Sequence, residues 1–312
     1  MHMADALVSP SVGGAMWAAS AGGVAWCARR VTTRRDDRLA PLMGVLGAFV
    51  FTAQMINVAI PGTGSSGHLG GGLLLAILLG PHAAFLVIAS VLAVQALFFA
   101  DGGLLALGCN IFNLGVFPLF VAYPFIYRPI AGKHVFGRRA AVAAMLAAVV
   151  GLQLGAFAVV LETACSGVSS LPFVPFVLLM QPIHLAIGVG EGLATAALVG
   201  FLAQARPDAL LTYATPGAAR RTLRPVFLGL LIAAALLSGV ISWFASAHPD
   251  GLEWSMAKIT GSEGCSAQPD RVPRAGKSWA GLSGGALVLG LVLLTGLVLR
   301  RKPVHGDGSP TV

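Results

Sequence analysis

His2 sits one residue from the start of the chain, in MHMADALVSP. A free α-amine, the backbone nitrogen of the second residue and an imidazole at that position can grip one ion together, closing fused chelate rings through Nδ1. Ionising the amide demands a metal high in the Irving–Williams order, such as Ni(II) or Cu(II), and favours a square-planar site. A fourth donor completes the plane. His68, at the end of PGTGSSGH, is the obvious one, with glycines beside it that let backbone come close. The competing reading is plain: a chance terminal histidine and a solvated loop histidine. For the chelate to exist, Met1 must stay on the chain, and the bulky His2 leads us to expect that it does.

For His2 and His68 to meet, the chain must bring its tip and a distant loop to one place. Of the 312 residues, 56% are hydrophobic and only 10% charged, and mean hydropathy is +0.84. A soluble domain carries about 25% charged residues. This chain is therefore expected to be an all-α polytopic membrane protein, since a spanning segment must satisfy its own backbone. Apolar runs fall at 9–28, 40–59, 68–80, 82–100, 109–128, 139–161, 173–203, 225–245 and 279–299. The third is short for a span, and Pro175 and Pro182 could kink the seventh.

Basic clusters test that count. Arg29, Arg30, Arg34, Arg35 and Arg38 follow the first run. Arg128, Lys133, Arg138 and Arg139 follow the fifth, Arg206, Arg220, Arg221 and Arg224 the seventh, and Arg300, Arg301 and Lys302 the ninth. All lie on one side if the N-terminus is outside and the C-terminus inside. The net charge of +8 is thus a topology signal and not a nucleic-acid footprint. The expected blocks are a seven-helix module over 1–204, a cytoplasmic linker over 205–221, and a two-helix hairpin over 222–302 with an outside loop at 246–278. A disordered tail over 303–312 completes the chain. His2 and His68 then share the outer face.

Other constellations compete. His184 and Glu191, in QPIHLAIGVGEG, lie seven residues apart on one helix face, an intramembrane polar pair of unknown role. GSSG fits the GxSG motif of rhomboid intramembrane serine proteases, with Ser66 as nucleophile and His184 as partner. The loop position of Ser66 argues against that alternative. No HExxH is present, and RAGKS has Arg271 where a P-loop needs glycine, so no nucleotide site is expected and any ATPase is another chain. The four cysteines lack CxxC spacing, and whether Cys165 and Cys265 pair is left open. Gly14, Ala18 and Gly22 form a small-residue stripe suited either to internal packing or to another membrane subunit.

MHMADALVSP, AQMINVAIPGTGSSGHLGGGLLLAILLGP, DGGLLALGCNIFNLGV and HLAIGVGEGLATAAL together resemble the CbiM/NikM family. These are the metal-capture (S) subunits of nickel and cobalt energy-coupling-factor transporters. The resemblance implies a non-enzymatic role and an ion held at the outer face by the amine of Met1, the backbone and side chain of His2, and His68. It also implies Ni2+ or Co2+ as cargo, a transmembrane coupling (T) subunit and cytoplasmic ATPases as partners, and the bacterial plasma membrane as location. Asp5, Asn57, Ser65 and Ser66 are expected to orient the imidazoles, as outer neighbours of ligating histidines do. Met3, Ala4 and Ala6 replace the family's Ile, Pro and Gly. The stretch SAHPDGLEWSMAKITG resembles the PDGLE-type accessory segment (NikN), here fused to the same chain.

Overall fold

The computed structural model describes residues 2–32, 38–205, 224–261 and 274–299. Among these, each of the nine apolar runs falls on a helix, and one further short helix lies between the last two. In chain order these are α1 (Pro10–Thr32), α2 (Leu39–Gln54), α3 (Gly72–Leu79), α4 (Pro81–Phe99) and α5 (Leu107–Ala131). They continue as α6 (Arg138–Ser166), α7 (Phe173–Ala205), α8 (Arg224–Phe244), α9 (Gly251–Thr260) and α10 (Arg274–Leu299). Six of them, α4 to α8 and residues Ser278–Gly296 of α10, are long and apolar enough to cross a membrane. α1 is long but less apolar, and α2 is 16 residues. The linker over 205–221 falls outside the described residues beyond Ala205, as do Cys265 and the tail over 303–312.

α3 is eight residues long and wholly buried. At ~1.5 Å per residue it covers about 12 Å, far short of a bilayer core. Glycines bracket it: Gly71 (φ +76°) and Gly80 (φ +85°) adopt left-handed backbone that a side chain would resist. Pro81 then opens α4, where its missing N–H costs nothing. α3 starts four residues later than the apolar pattern predicts, because 68–71 are used as a loop.

α5 contains Pro118 and Pro124 and runs as a wide, π-type helix from Phe112 to Tyr127. Pro118 packs where Gly72 and Gly151 have no side chain. α7 stays one helix through Pro182. It lies along α6, with Gly188 against Val149 and Gly192 against Met145.

The C-terminal hairpin docks on the rest of the bundle through small residues. Gly44 and Gly47 of α2 admit Leu289, Leu293 and Val288 of α10, while Gly284 admits Phe51 and Gly296 admits Ala40. Close backbone approach of this kind is how helices gain contact where lipid supplies no hydrophobic drive.

Two features depart from the sequence reading. The loop expected at 246–278 contains α9, opened by a reciprocal cap: Asp250 accepts from the amides of Leu252 and Glu253, and Glu253 accepts from the amide of Asp250. The loop after α2 contains a short antiparallel hairpin, β1 (Val58–Ile60) and β2 (Ser65–Gly67).

Candidate metal centre

The tip enters the protein as an irregular segment that leads into a 3-10 turn, Asp5–Leu7. Met3 is fully buried, its N–H donating to Asn110 Oδ1 (2.7 Å) and its carbonyl accepting from Asn110 Nδ2 (3.1 Å) and Gly103 N (2.9 Å). Asp5 Oδ1 accepts from Ala106 N at 3.0 Å. The ADGGLLALG loop and the start of α5 therefore form a clamp. Glycine is required in it: Gly102 has φ +91°, and any side chain at Gly103 would collide with the Asp5 carboxylate and backbone.

That clamp aims His2 at His68. The rings stack with centroids 5.1 Å apart and planes 17° from parallel. The His2 side chain is 5% exposed; its Nδ1 lies 2.9 Å from Asp101 Oδ1, and its Nε2 is buried without a partner. His68 Nδ1 contacts the carbonyl of Leu69 at 3.2 Å. Asp101 keeps 37% of its side chain exposed, so the centre opens outward past a carboxylate.

The loop that carries His68 is tied from below. Glu191 accepts from Gly70 N (2.6 Å) and Gly71 N (3.0 Å), and Gln54 Nε2, itself held by Gln95, donates to Gly70 O (2.7 Å). The stretch SGHLGGG is thus fixed at both polar groups of Gly70. His184, two turns before Glu191 on the same helix, is fully buried; its Nδ1 contacts Met180 O at 2.8 Å, and its Nε2 has no partner. The His184–Glu191 face expected from spacing exists, and its two members engage different stretches of the centre.

The accessory segment covers the same loop. Residues 248–250 run beside β2: Ser66 N donates to Pro249 O (2.8 Å), and Ser66 pairs with Asp250 in a parallel bridge. Ser66 Oγ donates to His248 O (2.7 Å), Ser65 Oγ to Pro249 O (3.3 Å), and Trp254 Nε1 to Thr63 O (2.9 Å). Ser246 N donates to Asn57 O at 2.7 Å. Gly251 sits where a side chain would meet His184 Cε1.

These bonds bear on two readings. Among the described residues no hydrogen bond joins Asp5, Asn57, Ser65 or Ser66 to either imidazole. Asp5 holds the clamp, and the other three hold the accessory segment, because serine hydroxyls beside an open strand edge find carbonyls first. The protease reading also fails, since the Ser66 hydroxyl is given to His248 O while His184 Nδ1 is engaged by its own helix. Sequence reasoning missed Asp101, Asn110 and Asp250. The first two lie in the DGGLLALGCN stretch, whose acidic and amide residues beside paired glycines were the available signal.

Electrostatics suit a cation. Burial first, then neighbouring positive charge, holds His68 down to about 3, so its ring is neutral at pH 7. Burial pushes Asp101 up, but the attraction and hydrogen bond of His2 outweigh it and bring it to about 2. Asp250 is likewise held below the usual carboxylate range: burial opposes this, and nearby positive charge, the Glu253 amide and His68 prevail. Among the described residues, no three His, Cys, Asp or Glu side chains are arranged to hold a metal by themselves. A site here must draw on backbone donors. Met1 lies outside the described residues.

Comparison with known proteins decides the family. Residues 2–209 match the model described as cobalt uptake substrate-specific transmembrane region. The chain belongs to this family. Residues 224–275 match the PDGLE domain, so the accessory hairpin is a second, fused unit. The chain is 33% identical over 239 residues to the fused nickel transport protein NikMN of Rhodobacter capsulatus, covering 72% of this chain and 68% of that one. It is 33% identical over 253 residues to the cobalt transport protein CbiM of Geobacter sulfurreducens, covering 77% and 72%. A crystal structure of a truncated transition metal transporter superposes with a TM-score of 0.58 at 30% identity, covering 65% of this chain and 99% of that one. Members of this cobalt-uptake family are metal transport proteins and not enzymes. This chain is accordingly a multi-pass membrane protein of metal transport.

Proposed function

We propose that this chain is the substrate-capture subunit of an ATP-driven importer of the energy-coupling-factor type, with Ni2+ or Co2+ as cargo. The ion is bound at the outer face by the amine of Met1, the backbone nitrogen and imidazole of His2, and the imidazole of His68. The observation that carries this reading is the stacking of His2 on His68 at the end of a segment clamped by Asn110 and Gly103.

In the chelate, Nδ1 of His2 exchanges Asp101 for the ion. Asp101 draws the cation in from the exposed rim, and the proton that metal binding releases from the amide passes to water. His68, neutral at pH 7, offers its lone pair without losing a proton. Residues 1–204 act as the seven-helix capture module with the N-terminus outside and the C-terminus inside. The PDGLE segment over 222–302 closes on the His68 loop through residues 246–254. A T subunit and cytoplasmic ATPases in a bacterial plasma membrane complete the importer.

The test is uptake of radioactive Ni2+ or Co2+ by cells carrying the full transporter. His2→Ala and His68→Ala are each expected to abolish uptake, and deletion of residues 250–275 to abolish it while the purified chain still binds metal. Uptake by this chain alone in ATP-free vesicles, at the rate of the full system, would overturn the ATP-driven reading. Loss of a peptidase activity in Ser66→Ala would revive the protease.

A further inference from the structure

Directly inward of the tip lies a second group of donors. Cys109 and Asn113 stand one turn apart at the start of α5, Glu162 faces them from α6, and Met3 closes the group from the tip segment. They are 0%, 2%, 8% and 0% exposed respectively. Asn113 Nδ2 donates to Glu162 Oε2 at 2.7 Å and lies 4.0 Å from Met3 Sδ, and the Cys109 thiol lies beside the Glu162 carboxyl. Two oxygens in this group, Asn113 Oδ1 and Glu162 Oε1, are buried without any partner. Leaving a buried acceptor unmet costs about 1–3 kcal/mol, so two in one contact call for an occupant.

We infer that Cys109, Glu162, Asn113 and Met3 form an inner station for a divalent transition-metal cation. The donor set is a thiolate, a carboxylate, an amide oxygen and a thioether, which suits a borderline ion better than Mg2+ or Ca2+. Charge supports a divalent guest. Binding releases one proton from Cys109 and sets the divalent charge against the thiolate and the Glu162 carboxylate, so the loaded station is neutral, and a neutral complex avoids the penalty of an uncompensated buried charge. Both oxygens without partners then gain one. Met3 follows His2 directly, so an ion leaving the outer chelate finds its next donor on the same segment. The proposed capture site supplies only that direction of transfer, and the station has its own readout because the outer chelate contains no sulfur.

The experiment is Co(II) titration of the purified full-length chain, followed by the thiolate-to-Co(II) charge-transfer absorption. Wild type is expected to take up a second equivalent that carries this band. His2→Ala is expected to lose the first equivalent and keep the band. Cys109→Ser is expected to lose the band and keep the first equivalent, and Glu162→Gln to weaken the second equivalent at least tenfold. Absence of the band at saturating Co(II), or its survival in Cys109→Ser, overturns the proposal. Should Cys109→Ser fail to fold, the isosteric Glu162→Gln decides: an unweakened second equivalent overturns it.

Discussion

Replacing Asn110 by alanine tests whether the tip is positioned by its clamp. The substitution removes both hydrogen bonds to Met3, at 2.7 and 3.1 Å, and leaves Met3 N–H buried with no acceptor, while the Met3 carbonyl keeps Gly103. An unmet buried donor costs about 1–3 kcal/mol and the second bond about 1 kcal/mol, giving about 2–4 kcal/mol against the docked tip. Docking has little surplus to absorb this, because ordering a residue costs about 1–2 kcal/mol of backbone entropy and several must be ordered. Only the docked fraction binds, so the loss passes into apparent affinity at about 1.4 kcal/mol per tenfold. Ni(II) affinity by isothermal titration calorimetry is therefore expected to fall roughly 30- to 700-fold. Asn110→Asp keeps an acceptor for Met3 N and is expected to lose tenfold or less. A folded Asn110→Ala chain that binds within threefold of wild type would refute the clamp.

Further predictions concern the surroundings of the centre. Asp101→Asn keeps the shape and removes the charge beside His2; the lost attraction for the incoming cation should lower Ni(II) affinity about tenfold, about 1.4 kcal/mol. Glu191→Ala leaves the amides of Gly70 and Gly71 unmet at about 1–3 kcal/mol each, so thermal unfolding in detergent should come several degrees earlier, with Glu191→Gln milder. For pH, the folded His68 sits at about 3, below its ordinary 6.5. Protons therefore favour the unfolded chain between those values, and stability is whole above about 6.5 and lost as pH falls toward about 3. Melting of the metal-free protein at pH 7, 5 and 4 should show that decline, and His68→Asn should flatten it.

Much of the helical layout is written in the apolar pattern. Apolar runs and Pro81 locate α4 to α8 to within a few residues, because a segment in lipid has no other way to satisfy its backbone. The tip and His68 were legible as a pair by chemistry, and their contact was not, since it spans two distant parts of the chain and depends on how α3 and the hairpin pack. Asp101 escaped notice because a loop aspartate beside two glycines looks like a turn residue. Glu191 looked like a partner for His184 by spacing alone, yet its oxygens go to the amides of Gly70 and Gly71. The cap in PDGLE was readable as D-x-x-E before an apolar residue, and the bridge from Asp250 to Ser66 was not, because its partner, β2, lies in another unit of the chain.

Adding one residue before Met1 tests the central claim most directly. The extension leaves every side chain in place, moves the free amine away from His2 and turns the amine of Met1 into an amide. Equilibrium Ni(II) and Co(II) binding to the purified extended chain should lose its high-affinity equivalent. Stoichiometric binding at unchanged affinity would contradict the account.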